Sequence, residues 1–278
     1  MLMIISTPIG NLGDITHRAT QMLEQADIIA CEDTRQTRKL LSLLGISTSA
    51  KLWAYHDHNG ARMRPKLIDA LKAEKRVALV SDAGTPLISD PGYKLVTACH
   101  ENGVSITAAP GPTAPVMALT LSGLPSDRFT FQGFVPSKEK AAKQALKESK
   151  PLMMTQIWFE TPKRLAATLH VMAEIYGNRY CVIARELTKM HETLYRGMLT
   201  ELTKQFEDTP LLKGELVLVV QGANKHTTQI NIKEVEKLLR ERLQTMSLRD
   251  AVQEMEGLSS LPRKKIYDLA LSISKDKS

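Results

Sequence analysis

The chain has 278 residues, enough for two domains, and its 43% apolar and 24% charged residues exclude a disordered or fibrous protein. Its net charge of +7 points to a polyanionic partner, with nucleic acid ahead of an acidic membrane surface. Three scattered cysteines, Cys31, Cys99 and Cys181, have no C-x-x-C spacing; they exclude a zinc ribbon or disulfide framework and read as reduced core thiols. No apolar run approaches the roughly 20 residues that span a bilayer, and Met1–Ile5 lacks the basic start of a signal peptide. A cytoplasmic protein is expected.

In chain order, Leu2–Ser6 is a strand and Thr16–Gln25 a helix capped by the Thr16 hydroxyl. Asp27–Ala30 is a strand, Thr34–Leu44 a helix stopped by Gly45, Leu52–Tyr55 a strand and Ala61–Glu74 a helix. Arg76–Ser81 is a buried strand, Gly92–Glu101 a helix, Val104–Ala108 a strand and Thr113–Leu121 a helix. Such alternation predicts a parallel sheet covered on both faces, an α/β domain over residues 1–121. Residues 122–137, rich in Gly, Pro and Ser, form the expected hinge. A second α/β domain is expected over 138–222. Its strands lie near Met153–Phe159, Tyr180–Ala184, His191–Arg196 and Glu215–Gln221, and its helices near Pro162–Ile175 and Leu199–Phe206. The third strand follows the second too closely for a helical crossover, so this sheet is mixed. Residues 223–278 form a helical tail. Val235–Leu243 and Leu248–Met255 are periodic, Ser247 caps the second helix and Gly257 stops it; Ser260-Leu261-Pro262 opens a last helix to about Ile273.

Three segments follow strands, where open α/β sheets place their ligands. They are Thr7–Thr16 after the first strand, Val80–Tyr93 after the strongest one, and Ala109–Ala114 after the fifth. Their glycines, prolines, hydroxyls and acids suit close approach of a polar ligand to backbone. On one edge they form a single site. The glycine spacing does not match the G-x-G-x-x-G dinucleotide fingerprint, and no phosphate-binding G-x-x-x-x-G-K-[ST] occurs. His191-Glu192 opens like a zinc-protease helix, but position 195 is tyrosine; His56-Asp57-His58 has no further ligand cluster, so no metal is expected.

Eight segments in order carry a family resemblance. They are Thr-Pro-Ile-Gly-Asn-Leu-Gly-Asp-Ile-Thr at 7–16, Glu32-Asp33-Thr34-Arg35, His56-Asp57-His58-Asn59, Ser-Asp-Ala-Gly-Thr-Pro-Leu-Ile-Ser-Asp-Pro-Gly at 81–92, Ser-Gly-Leu-Pro-Ser-Asp-Arg-Phe at 122–129, Glu160-Thr161-Pro162-Lys163-Arg164, Ala184-Arg185-Glu186-Leu187-Thr188-Lys189 and Lys213-Gly214-Glu215. Together they resemble the tetrapyrrole methylase superfamily, the class III S-adenosylmethionine methyltransferases, and within it the members that modify ribosomal RNA. The resemblance runs from about residue 4 to 222 and into the tail.

It implies a homodimer with S-adenosylmethionine between the two domains of each subunit. The implied reaction is 2′-O-methylation of a cytidine ribose in the decoding region of 16S rRNA, within the small ribosomal subunit. Pro8, Gly10, Asp82, Gly84, Thr85, Thr113, Ala114, Phe159 and Gly214 are the implied cofactor contacts. The first loop has Pro8-Ile9-Gly10 where the wider superfamily is richer in glycine, which weighs against a tetrapyrrole substrate. A small-molecule methylase and a non-catalytic RNA-binding assembly factor stay open as alternatives.

Methyl transfer to a hydroxyl is an in-line displacement, helped by a base or by a group that stabilises oxyanion charge. By loop position Glu32, Arg35, His56, Asp57, Glu186 and Lys189 qualify, with Asp57, Glu186 and Lys189 as the catalytic candidates. Arg164 and Arg185 suit phosphate clamping, and Arg35 and His56 are RNA candidates beside them. Lys140, Lys143 and Lys147 share one helix face at i, i+3, i+7, a stripe suited to a phosphate backbone. Arg263, Lys264 and Lys265 open the last helix beside Tyr267; cations there oppose the helix dipole, which points to a partner.

Overall fold

The computed structural model describes residues 1–207, 213–223, 232–258 and 261–275, and Ser260 lies outside the described residues. The chain divides into two compact units, Met1–Gln221 and Gly222–Ser278.

In the first unit β1 (Leu2–Ile5), β2 (Ile28–Cys31), β3 (Lys51–Ala54), β4 (Val77–Val80) and β5 (Ile106–Ala109) form a parallel sheet in the order β3-β2-β4-β1-β5. The helices between them are α1 (His17–Gln25), α2 (Thr34–Leu43), α3 (Gly60–Lys72) and α4 (Tyr93–Glu101). The pleat sorts the strand residues. Met3, Ile5, Ile29, Cys31, Ala78 and Val80 pack with Leu23 of α1 and Leu41 of α2. Their neighbours Leu2, Ile28, Ala30, Val77 and Leu79 pack with Leu67 and Leu71 of α3 and Leu95 of α4. A strand buried on both faces has no polar alternation to show, which is why Arg76–Ser81 reads as a continuous apolar run. Thr16 caps α1 through a 3.1 Å bond from the Ala19 amide.

Then α5 (Ala114–Ser122), ended by Gly123 at φ +72, leads into the second sheet of the same unit. Its strands are β6 (Phe129–Phe134), β7 (Thr155–Glu160), β8 (Tyr180–Arg185), β9 (Thr193–Met198) and β10 (Leu216–Val220), in the order β6-β7-β10-β8-β9. The β6–β7 pair is parallel and the other pairs are antiparallel, so the sheet is mixed. One face carries α6 (Glu139–Ser149), α7 (Leu165–Tyr176) and α8 (Leu199–Glu207), packed on Trp158, Leu216, Leu218 and Val220. The other face, with Ile157, Val217 and Val219, receives Ala118 and Leu119 of α5 and Ile9 from the loop after β1. Thus α5 bolts the first sheet's last crossover onto the second sheet.

One element differs from expectation. The stretch 122–137 contains β6, because Phe129, Thr130 and Phe131 pair with Thr155, Gln156 and Ile157. Gly and Pro on either side dilute this short aromatic run in any composition window.

In the second unit α9 (Ile232–Arg242), α10 (Leu248–Leu258) and α11 (Arg263–Lys275) share a core of Val235, Leu239, Val252, Met255, Ile266 and Ile273. Ser247 caps α10 through the Asp250 amide at 3.2 Å. The helix continues past Gly257 to Leu258, so that glycine is not its stop.

Gly92 begins α4 at φ +145, and a Cβ there would lie 2.8 Å from Leu87 Cδ1 and 3.0 Å from Leu79 Cδ2. Gly92→Ala is expected to lower unfolding free energy by about 1–3 kcal/mol, measured by denaturant titration; an unchanged midpoint contradicts this.

Candidate active site

Strands β4, β1 and β5 are adjacent and parallel, so the loops after their carboxyl ends emerge side by side. Hydrogen bonds then lace these loops together. Thr7 and Gly84 form an isolated antiparallel bridge, with N–H to O distances of 2.9 and 3.0 Å. Thr85 Oγ1 donates to the Pro112 carbonyl at 3.0 Å and lies 2.9 Å from Ser6 Oγ. Its single proton is committed, so Ser6 is the donor to Thr85. Thr7 Oγ1 donates to Ser81 O at 3.2 Å, and Ser81 Oγ lies 3.2 Å from Ala83 O and 3.3 Å from Gly84 O. Gly111 is required beside Ser6, because a Cβ there would lie 2.9 Å from the Ser6 Cβ.

Between these loops and the second sheet lies a cavity of about 360 Å³. Asp82, Gly84, Thr85, Thr113, Ala114, Phe159 and Gly214, the cofactor contacts that the resemblance implies, all line it. Pro8 and Gly10 flank it, and Ile9 between them supplies the wall. Residues not singled out from sequence complete it: Ile88, Ser89, Asp90, Phe134, Thr161, Glu215 and Val217. Asp90 stood inside a quoted motif; Phe134 belongs to β6, which the hinge assignment hid. The Phe159 ring meets Phe131 at 4.9 Å and Phe134 at 5.2 Å, both edge-on, which fixes it in the wall.

The loop after β8 closes one end. Glu186 and Thr188 hold φ +53 and +63. Glu186 Oε1 accepts from Lys189 Nζ and from the Glu215 amide, both at 2.9 Å, and Lys189 also reaches Glu215 Oε2 at 3.2 Å. A Cβ on Gly214 would collide with Glu186, and one on Gly10 with the Lys189 stem. Both glycines therefore serve close packing. Burial pushes the Glu186 carboxyl up, but the bonds from Lys189 and Glu215 outweigh it and hold it below its ordinary value. Burial depresses Lys189, yet Glu186 and Glu215 outweigh this and raise it. This pair is a charged latch. Neither member lines the cavity, and Asp57 stands exposed beyond β3, so the three catalytic candidates do not converge.

A second ion pair braces the opposite wall. The Glu160 side chain is fully buried and bonds Arg164 Nη2 at 2.6 Å, the Thr161 amide at 2.6 Å and Thr168 Oγ1 at 2.5 Å. Arg164 also donates to Thr161 Oγ1 and the Val135 carbonyl. Its guanidinium is spent inside the protein, which corrects its reading as an RNA clamp. Arg35 pairs with Asp33 at 2.9 Å, and Arg185 donates to Lys213 O at 2.8 Å. His56 is half-buried, its ring 6.0 Å from that of His58.

The β2 and β4 ends are acidic. Arg35, by its side-chain hydrogen bond, pulls Asp33 down to about 2. Burial raises Asp82, partly offset by a 3.3 Å bond from the Asp33 amide. Burial and Asp82 together raise Glu32. Of the basic stripe on α6, Lys140 and Lys147 are exposed, whereas Lys143 pairs with Glu139 and Glu174 at 3.1 and 3.2 Å. On α11, Lys264 and Lys265 are exposed, and Arg263 pairs with Glu256 at 2.8 Å. Among the described residues no cluster of three His, Cys, Asp or Glu side chains is placed to hold a metal, and no helix is long and apolar enough to cross a membrane.

Two α/β sheets meeting over a cleft of this kind define the tetrapyrrole methylase fold, and the family model "Tetrapyrrole (Corrin/Porphyrin) Methylases" matches residues 1–203. Among solved structures, diphthine synthase superposes with a TM-score of 0.63 at 16% identity, over 80% of this chain and 90% of that one. A uroporphyrin-III-C-methyltransferase from Thermus thermophilus gives 0.53 at 17%, over 78% and 93%; these likenesses concern the fold. Residues 231–274 match the "RsmI C-terminal HTH domain". "Ribosomal RNA small subunit methyltransferase I" of Vibrio cholerae is 51% identical over 80% of this chain and 77% of its own. The protein of that name from Escherichia coli O157:H7 is 44% identical over 98% and 90%. The chain belongs to the ribosomal RNA small subunit methyltransferase I family of tetrapyrrole methylases.

Arg164→Met strips the buried Glu160 of its cation. The expected loss is about 3 kcal/mol of unfolding free energy at pH 7, read by denaturant unfolding; a loss below about 1 kcal/mol contradicts the clamp.

Proposed function

We propose that this protein is an S-adenosylmethionine-dependent methyltransferase that 2′-O-methylates a cytidine ribose in the decoding region of 16S rRNA, within the small ribosomal subunit. It acts in the cytoplasm as a homodimer. The observation that carries the reading is the laced edge: three loops held by mutual hydrogen bonds around a largely apolar cavity. The names of the relatives supply the substrate class.

The cavity fits the cofactor. Its size falls in the range of small-molecule sites, about 300–1,000 Å³. Its apolar surfaces, Ile9, Ala114, Phe159 and Val217, suit an adenine ring and an aliphatic chain, and Asp82, Thr85 and Thr113 offer polar anchors. Gly84 at φ +81 lets the backbone approach closely. When bound, S-adenosylmethionine supplies an electrophilic methyl group on a positively charged sulfur.

The chain's own task is alignment and exclusion of water. Loop lacing fixes Asp82 and Thr85 before anything binds, so little ordering accompanies binding. The Glu186–Lys189–Glu215 latch and the Glu160–Arg164 brace hold the two ends of the second-sheet wall. Exposed Lys140 and Lys147 of α6, with Lys264 and Lys265 of α11, take the phosphate backbone. Arg35 and Arg185 remain partly open for the same purpose, and His56 for a base or ribose.

Calorimetric titration is expected to give saturable binding of S-adenosylmethionine. Thr85→Val cuts the Ser6–Thr85–Pro112 chain and is expected to weaken binding about tenfold. Labelled methyl groups are expected in 16S rRNA of small subunits lacking the modification, and mass spectrometry should place them on a cytidine ribose. Binding without RNA labelling, or label on a base or a tetrapyrrole, rejects the reading. Replacing Lys140 and Lys147 by Glu is expected to leave cofactor affinity unchanged. It should reduce the slope of log affinity for the subunit against log salt by roughly 1.5–2; an unchanged slope removes α6 from the interface.

A further inference from the structure

Residues 87–92 are the most strained part of the cavity wall. Leu87 and Ser89 hold φ +75 and +66, a region costly for residues with a Cβ, and Gly92 ends the stretch at φ +145. Such conformations persist where surrounding structure imposes them, and they concentrate at functional sites. The consequence here is concrete: Ile88, Ser89 and Asp90 all turn into the cavity. Asp90 is the carboxylate that this detour delivers. Pro91 and Gly92 then return the chain to α4.

Among the described residues Asp90, like Asp82, has no cation beside it, unlike three other carboxylates around the site. Asp33 has Arg35, Glu160 has Arg164, and Glu186 has Lys189. The groups acting on Asp90 are Ser81, Glu32 and Asp82, none of them a cation. Burial pushes its carboxyl up to about 6, a hydrogen bond with Ser81 pulls the other way, and the charges of Glu32 and Asp82 push it further up. A base of that strength is ionised at pH 7 yet accepts a proton more readily than an ordinary carboxylate. The rival acids are worse placed. Asp82 accepts the Asp33 amide, Glu186 is held below its ordinary value by its latch, and Asp57 lies outside the cavity.

We infer that Asp90 is the general base that removes the proton from the ribose hydroxyl as the methyl group is transferred. This rests on the proposed ribose methylation. The O–H bond breaks and its proton passes to an Asp90 carboxylate oxygen. The pair left on the hydroxyl oxygen forms the new C–O bond as the methyl carbon leaves sulfur, which keeps the pair of the broken C–S bond. One positive charge and one carboxylate charge disappear together, so the step is balanced. Asp90 returns its proton to solvent when product leaves.

The test compares wild type with Asp90→Asn and, as a second variant, Asp90→Ser. Single-turnover methylation of unmodified small subunits is followed from pH 5.5 to 8.5, alongside cofactor affinity by calorimetry, thermal unfolding, and carboxyl titration of Asp90 by carbon NMR in the cofactor-free protein. The active form is the carboxylate, so the wild-type rate should rise as pH climbs through about 6 and then level. At saturating cofactor, both variants should lose at least about 100-fold in single-turnover rate at pH 7 and lose the pH dependence. Asp90→Asn should unfold no earlier than wild type at pH 7, because a group whose pKa rises on folding opposes folding above that pKa. A folded variant that methylates at the wild-type rate, or an Asp90 that titrates below about 4.5, overturns the base assignment alone. Wild type that leaves RNA unlabelled overturns ribose methylation and takes the base assignment with it.

Discussion

The constraint on which the site depends is the two-residue bridge between Thr7 and Gly84. Parallel neighbours in a sheet place their following loops close together but give them no reason to pair. Here the loops after β1 and β4 exchange two backbone hydrogen bonds beyond the sheet, and Thr85 ties the loop after β5 to the same knot. Each bond is worth only about 1 kcal/mol net. The knot matters for a different reason. It gives three loops one shared conformation, so Asp82, Thr85 and Thr113 cannot move independently. Gly84 and Gly111 are where this design excludes any other residue, the first for its backbone and the second for its contact with Ser6.

Rigidity on the opposite wall has another source. The second sheet is buried on both faces, with Leu216, Leu218 and Val220 turned to one layer of helices and Val217 and Val219 to α5. Because α5 leaves the first sheet directly after Thr113, one helix connects the knot to the apolar face of the second sheet. Ile9 joins the same cluster from the loop after β1. The cavity is therefore bounded by two frameworks that share a core.

Much of this was legible in the sequence because burial on both faces leaves unmistakable apolar runs. Arg76–Ser81 and Glu215–Gln221 are such runs. The ligand-facing loops announced themselves through glycine, proline and acid at strand ends. What stayed hidden depends on tertiary neighbours. Phe129–Phe134 is an edge strand whose partner, β7, comes after an intervening helix, and its local composition resembles a linker. Arg164 reads as a free cation until Glu160, four residues earlier, is seen to be fully buried beneath it. Leu87 and Ser89 carry no sequence mark of positive φ, since neither is glycine or asparagine, so the turn that presents Asp90 is visible only in three dimensions.

Charge is distributed unevenly over the molecule. The chain carries +7 overall, yet the cations that brace the second-sheet wall are neutralised: Arg164 by Glu160, Lys189 by Glu186 and Glu215. Glu32, Asp82 and Asp90 add negative charge around the ends of β2 and β4, and among the described residues no cation acts on Asp90. Among the described residues, Lys140 and Lys147 of α6 and Lys264 and Lys265 of α11 are exposed. A site built to grip phosphates would reverse this pattern. An acidic cleft repels a phosphate and attracts a cation, which suits the positively charged methyl donor proposed for it. For the proposed reaction the group that enters such a cleft has to be neutral, and a ribose hydroxyl is a neutral nucleophile that every nucleotide of RNA presents.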